Sequence, residues 1–166
     1  ISEDPHNRIM QVERRARKLR SIRADLDGRE QSNQTLHDPT DGEAKYGIMT
    51  FGSQQGTVEE AVDRLVDDGH EVKSLGVSDL MPYPEDEVAE FLESVDECLV
   101  VEMNSTAQFR GLTQKELGRF GEKLTSLLKY NGNPFEPADI VEGFETTIDG
   151  GELPDENTRL VGAAGD

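Results

Sequence analysis

Tyr46-Gly47-Ile48-Met49-Thr50-Phe51-Gly52-Ser53-Gln54-Gln55-Gly56-Thr57 runs from a short apolar segment into a glycine-bounded turn. Apolar residues at Val58, Ala61, Val62, Leu65 and Val66 then recur at helical spacing. The stretch therefore predicts strand, turn and helix. Thr57 is the expected helix cap, Glu60 completes a capping box, and Gly69 ends the helix. The alternation continues along the chain. Val72–Val77 predicts a second strand and 86–95 a helix with Val88, Phe91, Leu92 and Val95 inward. Cys98–Glu102 is a third strand, 107–120 a helix, 124–130 a fourth strand and 137–144 a proline-started helix. Repeated crossover connections favour a largely parallel sheet covered on both faces, a three-layer α/β/α sandwich. The expected strand order is second, first, third, fourth.

Outside this body, residues 1–30 predict one helix, with Asp4 or Ser2 as cap and Pro5 in its first turn. Ile9, Val12, Ala16, Leu19, Ile22 and Leu26 form a narrow apolar stripe among Arg14, Arg15, Arg17, Lys18, Arg20 and Arg23. Such a helix must lie on something, either its own acidic domain or another domain or subunit. Residues 31–44 read as a linker, with room for a short edge strand. Residues 151–166 have little to bury and predict a flexible acidic tail. The domain reading is thus an N-terminal helix and linker from a preceding domain over 1–44, the α/β domain over 45–150, and the tail. The start at Ile1 suggests the middle of a longer polypeptide.

Charge is strongly asymmetric. Residues 1–36 hold 8 bases and 6 acids, a net of +2, whereas 37–166 hold 9 bases and 29 acids, a net of −20. So acidic a body repels phosphate backbones and disfavours nucleic acid and anionic membranes. Arg outnumbers Lys 11 to 6, and the acids fall on predicted solvent faces, as expected in a high-salt cytoplasm where ions screen self-repulsion. No apolar run is long enough to span a bilayer and no signal peptide is evident, so a cytoplasmic location is expected. Cys98, the single cysteine, sits in an apolar strand and reads as a buried hydrophobe. His6, His37 and His70 are too scattered in sequence to suggest a zinc site.

No catalytic, cofactor-binding or metal-ligating residue is assigned. The Gly52–Thr57 turn lacks the Lys-Ser/Thr pair of a phosphate loop and the third glycine of a dinucleotide fingerprint. It reads as a tight turn or as a contact for a phosphate or a partner carboxylate. At the carboxyl end of the third strand Glu102, Asn104 and Gln108 cluster, where open α/β sheets usually bind ligands; they read as an active-site contact, a polar interface, or a helix cap or plain loop. Asn131-Gly132-Asn133-Pro134-Phe135 shapes the exit of the fourth strand, with Phe135 covering the sheet edge or docking into a neighbour. Tyr83, between two prolines, reads as a structural lid. Together Ser53, Gln54, Gly56, Thr57, Glu102, Asn104, Gln108 and Asn131 form a candidate interface or anion-contact rim at the expected topological switch point.

Five stretches in order resemble the α subunit of 2-oxoacid:ferredoxin oxidoreductases. They are Ile1-Ser2-Glu3-Asp4-Pro5 with its Arg-rich helix, Tyr46–Gly56, Leu80-Met81-Pro82-Tyr83-Pro84, Val100–Gln108, and Leu127–Phe135. The resemblance implies a fold like the transketolase C-terminal domain. It also implies a parent enzyme that decarboxylates a 2-oxoacid on thiamine diphosphate and Mg, 2-oxoglutarate being favoured. That enzyme passes electrons through iron–sulfur clusters to ferredoxin and delivers an acyl group to coenzyme A. A β subunit and further α-subunit domains would be the partners; the acidic surface adds the expectation of a halophilic archaeon as the source. The chain lacks a Gly-Asp-Gly…Asn thiamine signature and cluster cysteines. The implied role is therefore an assembly domain, inactive alone and binding none of these cofactors itself. The competing expectation is a stand-alone module that holds a phosphorylated ligand at Gly52–Thr57.

Overall fold

The computed structural model describes residues 3–29, 32–150 and 158–162. Its centre is a six-stranded sheet: β1 (Thr35–His37), β2 (Tyr46–Phe51), β3 (Val72–Val77), β4 (Glu97–Glu102), β5 (Leu124–Lys129) and β6 (Thr158–Val161). The order is β1-β3-β2-β4-β5-β6. The four inner strands run parallel in the expected order, and the two edges are antiparallel. Strand alternation feeds two cores. Ile48, Leu99 and Val101 face α2 (Gln55–Asp67) and α5 (Pro137–Asp149). Met49 and Val100 face α3 (Glu85–Glu93) and α4 (Gln108–Leu117). The three-layer sandwich follows directly.

Two local expectations change. Thr57 does not cap α2. A single 3-10 turn over Gly52–Gln54 precedes the helix, which begins at Gln55 without a side-chain cap, so Thr57 and Glu60 already lie inside it. The capping box occurs instead at α5, where Glu136 and Asp139 hold each other's backbone. The tail is not wholly loose. Its described part, Thr158–Val161, pairs with β5, and the Arg110 guanidinium donates to the carbonyls of Val161 (2.6 Å) and Gly162 (2.7 Å). The rest of the tail lies outside the described residues.

At the other end, α1 (Pro5–Asp27) is capped by Asp4, whose Oδ1 accepts from the His6 N–H at 3.0 Å. Ser2 lies outside the described residues. Arg23 ties the helix to the body by donating to the carbonyl of Tyr83. Tyr83, expected as a structural lid, is buried, 2 % exposed, with its hydroxyl 2.7 Å from Thr113 Oγ1. Burial raises its pKa to about 12, so it stays protonated. Among the described residues no helix is long and apolar enough to cross a membrane.

Close packing makes one substitution informative. A Cβ on Gly143 of α5 would lie 2.6 Å from Leu127 Cδ2 on β5. Overpacking of that order costs about 1–3 kcal/mol, offset in part by the roughly 1 kcal/mol helix preference of alanine. Gly143→Ala is therefore expected to lower stability by about 1 kcal/mol in urea melts. A variant more stable than wild type would show that α5 shifts freely on the sheet.

Candidate functional site

Because β2 and β4 are central and their helices leave toward opposite faces, a crevice opens at their carboxyl ends. The turns 53–56 and 103–107 meet there: the Gln54 side-chain amide lies 2.7 Å from Met103 Sδ. The two turns of the expected rim adjoin there, but the residues named for that rim do different things.

Glu102 does not present its carboxyl group at the surface. It is 1 % exposed and accepts four hydrogen bonds, from Asn104 Nδ2 (2.7 Å), Phe109 N–H (2.7 Å), Arg110 N–H (3.3 Å) and Ser126 Oγ (3.3 Å). It seats the start of α4 on the end of β4, satisfying backbone donors that a helix leaves open. Asn104 is likewise absorbed locally, its Oδ1 accepting from the N–H groups of Thr106 and Gln108. The intervening Ala107 is held at φ 51°, a left-handed conformation unusual for a residue with a Cβ. Lys129 plays the matching part at β5, reaching Asp139 of α5 at 2.6 Å. Ser126 and Lys129 escaped the sequence reading because a polar residue in an apolar strand shows no partner until the neighbouring element is in place.

The 52–57 turn offers an anion little. Gln54 is 7 % exposed, and its Oε1 is a buried acceptor without a hydrogen-bond partner. A carbonyl oxygen repels phosphate. Titration of the chain with inorganic phosphate or coenzyme A is expected to give no heat; tight binding would revive the phosphate reading. Ser53 and Gly56 are exposed, and Thr57 is half-buried within α2. Asn131 shapes its own loop past β5, its Oδ1 accepting from the Asn133 N–H at 3.0 Å. Phe135 is buried at 3 % in the core with Ile48 and Ile140, covering the sheet rather than projecting from it.

What the carboxyl end exposes is poor in charge: the exits of β2, β4 and β5 have none, and the exit of β3 carries Asp79. Residues 46–58, 103–109 and 130–135 contain no Asp, Glu, Lys or Arg, in a chain where 31% of residues are charged. Met81 after β3, Met103 after β4 and Tyr130 after β5 are 62 %, 41 % and 57 % exposed. Parallel strands bring these loops to one end of the sheet. A face depleted of charge and studded with Met and Tyr has the composition of a protein interface core.

Residues 44–140 match the family model for the pyruvate:ferredoxin oxidoreductase core domain II. The chain belongs to the 2-oxoacid:ferredoxin oxidoreductase family. Within that family it is 31% identical over 152 residues to subunit alpha of 2-oxoacid:ferredoxin oxidoreductase 1 from Sulfurisphaera tokodaii, covering 92% of this chain and 23% of the relative. It is 28% identical over 151 residues to subunit alpha of 2-oxoacid:ferredoxin oxidoreductase 2 from Aeropyrum pernix, covering 91% and 23%. Among solved structures, 2-oxoglutarate:ferredoxin oxidoreductase from Magnetococcus marinus superimposes with a TM-score of 0.71 at 28% identity, over 89% of this chain and 24% of that one. That structure contains 2-oxoglutarate, coenzyme A and succinyl-CoA. The chain spans about a quarter of the length of these oxidoreductase subunits.

Two observations bear on a metal ion or an iron–sulfur cluster at the described residues. No three of His, Cys, Asp or Glu gather among them to hold a metal. Cys98 is 1 % exposed, and burial pushes its thiol far above the ordinary range, which disfavours the thiolate that a cluster requires.

Proposed function

We propose that this chain is core domain II of an α subunit whose parent complex oxidatively decarboxylates a 2-oxoacid, 2-oxoglutarate before others, to its acyl-CoA with ferredoxin as electron acceptor. Within it the domain serves assembly and carries none of the reacting groups. Thiamine diphosphate with Mg, an iron–sulfur cluster and coenzyme A act elsewhere in that complex, against other α-subunit domains and a β subunit. The observation that carries the assembly role is the charge-poor carboxyl face bearing Met81, Met103 and Tyr130 on a chain of net charge −18. Docked against the neighbouring domains, this face sets the position of the remote reacting centre. A displacement near 1 Å costs on the order of 100-fold in rate.

The experiment introduces Met103→Asp and Tyr130→Asp into the full complex. Both side chains are exposed, so the domain itself is expected to keep its fold. The expected result is failed assembly or turnover reduced by about 100-fold, with the melting temperature of the separate chain unchanged. Normal assembly together with normal 2-oxoglutarate turnover would remove the assembly role. Turnover by the separate chain would remove the claim that it lacks the reacting groups. Acyl-CoA formation from pyruvate in preference to 2-oxoglutarate would correct the substrate.

A further inference from the structure

The amino-terminal half of α1 and the groove side of the body are complementary surfaces; within one molecule α1 is tied to the body further along, where Arg23 meets the Tyr83 carbonyl. Over Pro5–Ile22 the helix carries six bases and one acid, a net of +5. No residue of α1 is buried, and Ile9, Met10, Val12, Leu19 and Ile22 are 56, 46, 46, 39 and 37 % exposed. Ile9, Val12, Ala16 and Leu19 follow the 3-4-3 spacing of a helix that lies along a partner. Most helical stability in proteins comes from packing of an apolar face, which α1 leaves uncovered within one molecule.

Beside the point where α1 ends, a groove of about 300 Å³ opens between the sheet edge and α3. Leu36, Leu75 and Phe91 give it an apolar lining, and Glu87 and Glu90 border it. Leu36 is 58 % exposed. Lys73 at the floor is offset by Asp38 at 3.8 Å, so the border acids set its sign. No residue of α1 lines this groove. The groove offers an apolar centre with an acidic rim; the helix offers an apolar stripe with basic flanks.

We infer that the chain pairs with a second copy of itself by exchanging helices, the amino-terminal half of each α1 lying in the groove of the other. Ile9 and Val12 fill the groove, while Arg8 and Arg15 approach Glu87 and Glu90. A two-fold axis makes the contact twice, so each helix need supply only half of the roughly 1,600 Å² buried in a standard interface. The two anionic bodies repel at long range. At 1 M salt a Debye length near 3 Å suppresses that repulsion and leaves contact pairs less affected. The pairing is separate from the role of the carboxyl face and stands or falls without it.

Sedimentation velocity of the chain in 1 M KCl tests it. The expected mass is twice 18.4 kDa, and Ile9→Asp with Val12→Asp weakens pairing about 100-fold or more. Ile9 and Val12 are exposed within one molecule, so the melting of the body should be unchanged in that variant. A charge exchange gives a second readout. One variant carries Arg8→Glu and Arg15→Glu; the other carries Glu87→Lys and Glu90→Lys. Each alone is expected to be monomeric, and their mixture to pair. A chain that stays monomeric up to 100 μM would overturn the inference and leave α1 to a different partner. So would a dimer indifferent to the Ile9 and Val12 changes, or a mixture that fails to pair.

Discussion

Glu102→Ala is expected to lower the stability of the domain by about 3–5 kcal/mol and its melting temperature by roughly 10 °C. The carboxyl group meets four donors, two of them backbone N–H groups of Phe109 and Arg110 at the start of α4. Alanine leaves these donors without an acceptor in a place where the side chain is 1 % exposed. Each orphaned buried donor costs about 1–3 kcal/mol, and water entering the vacated space recovers part of it. Glu102→Gln separates hydrogen bonding from volume. It keeps the shape but turns one acceptor into a donor that faces other donors, so it should lose about 1–3 kcal/mol. Urea melts of both variants measure this. A glutamine variant as stable as wild type would show that the four donors need no carboxyl group. The consequence reaches the carboxyl face, because Glu102 also sets where α4 begins and hence how Met103–Thr106 is presented.

This residue marks the boundary of what the sequence disclosed. Strands β2 to β5 were legible because each is a short apolar run between turn residues, and parallel order follows from the crossover helices. The stretch Thr158–Val161 gave no such signal. It is short and lies in a polar, Gly-containing tail, and its place depends on pairing with β5 and on Arg110, 51 residues away from Val161. Glu102, Asn104 and Gln108 were found as a cluster from their spacing alone. Spacing could not say that two of them turn inward to hold α4, since that depends on Ser126 from the adjacent strand and on backbone N–H groups that have no sequence identity. Thr57 failed as a cap for a related reason: a 3-10 turn at Gly52–Gln54 winds the chain before the expected start. What pointed outward was a feature of composition, the missing charge in three strand-exit loops.

The charge that those loops lack is concentrated elsewhere, and it makes stability depend on salt. The size of the expected effect follows from electrostatics. Placing −18 charges on a sphere of about 20 Å radius gives a self-repulsion of roughly 11 kcal/mol at a 10 Å Debye length and roughly 4 kcal/mol at 3 Å. For an unfolded coil of about 43 Å radius the same change is only roughly 2 kcal/mol. Raising KCl from 0.1 to 1 M should therefore favour the folded chain by on the order of 5 kcal/mol, a rise in melting temperature of about 10–20 °C. Glu85, Asp86, Glu87, Glu90 and Glu93 crowd α3, a helix of 9 residues, and repulsion there is felt most. Replacing Asp86 and Glu90 by lysine should raise the melting temperature at 0.1 M KCl and reduce the gain on going to 1 M; Glu93 is left in place because it pairs with Arg119 at 2.7 Å. Sucrose controls for preferential exclusion, because it strengthens burial without screening charge. A melting temperature that is flat from 0.1 to 1 M KCl, or one that rises as much in the lysine variant as in wild type, would mean that self-repulsion does not govern this fold. The acidic surface would then need another explanation than adaptation to salt.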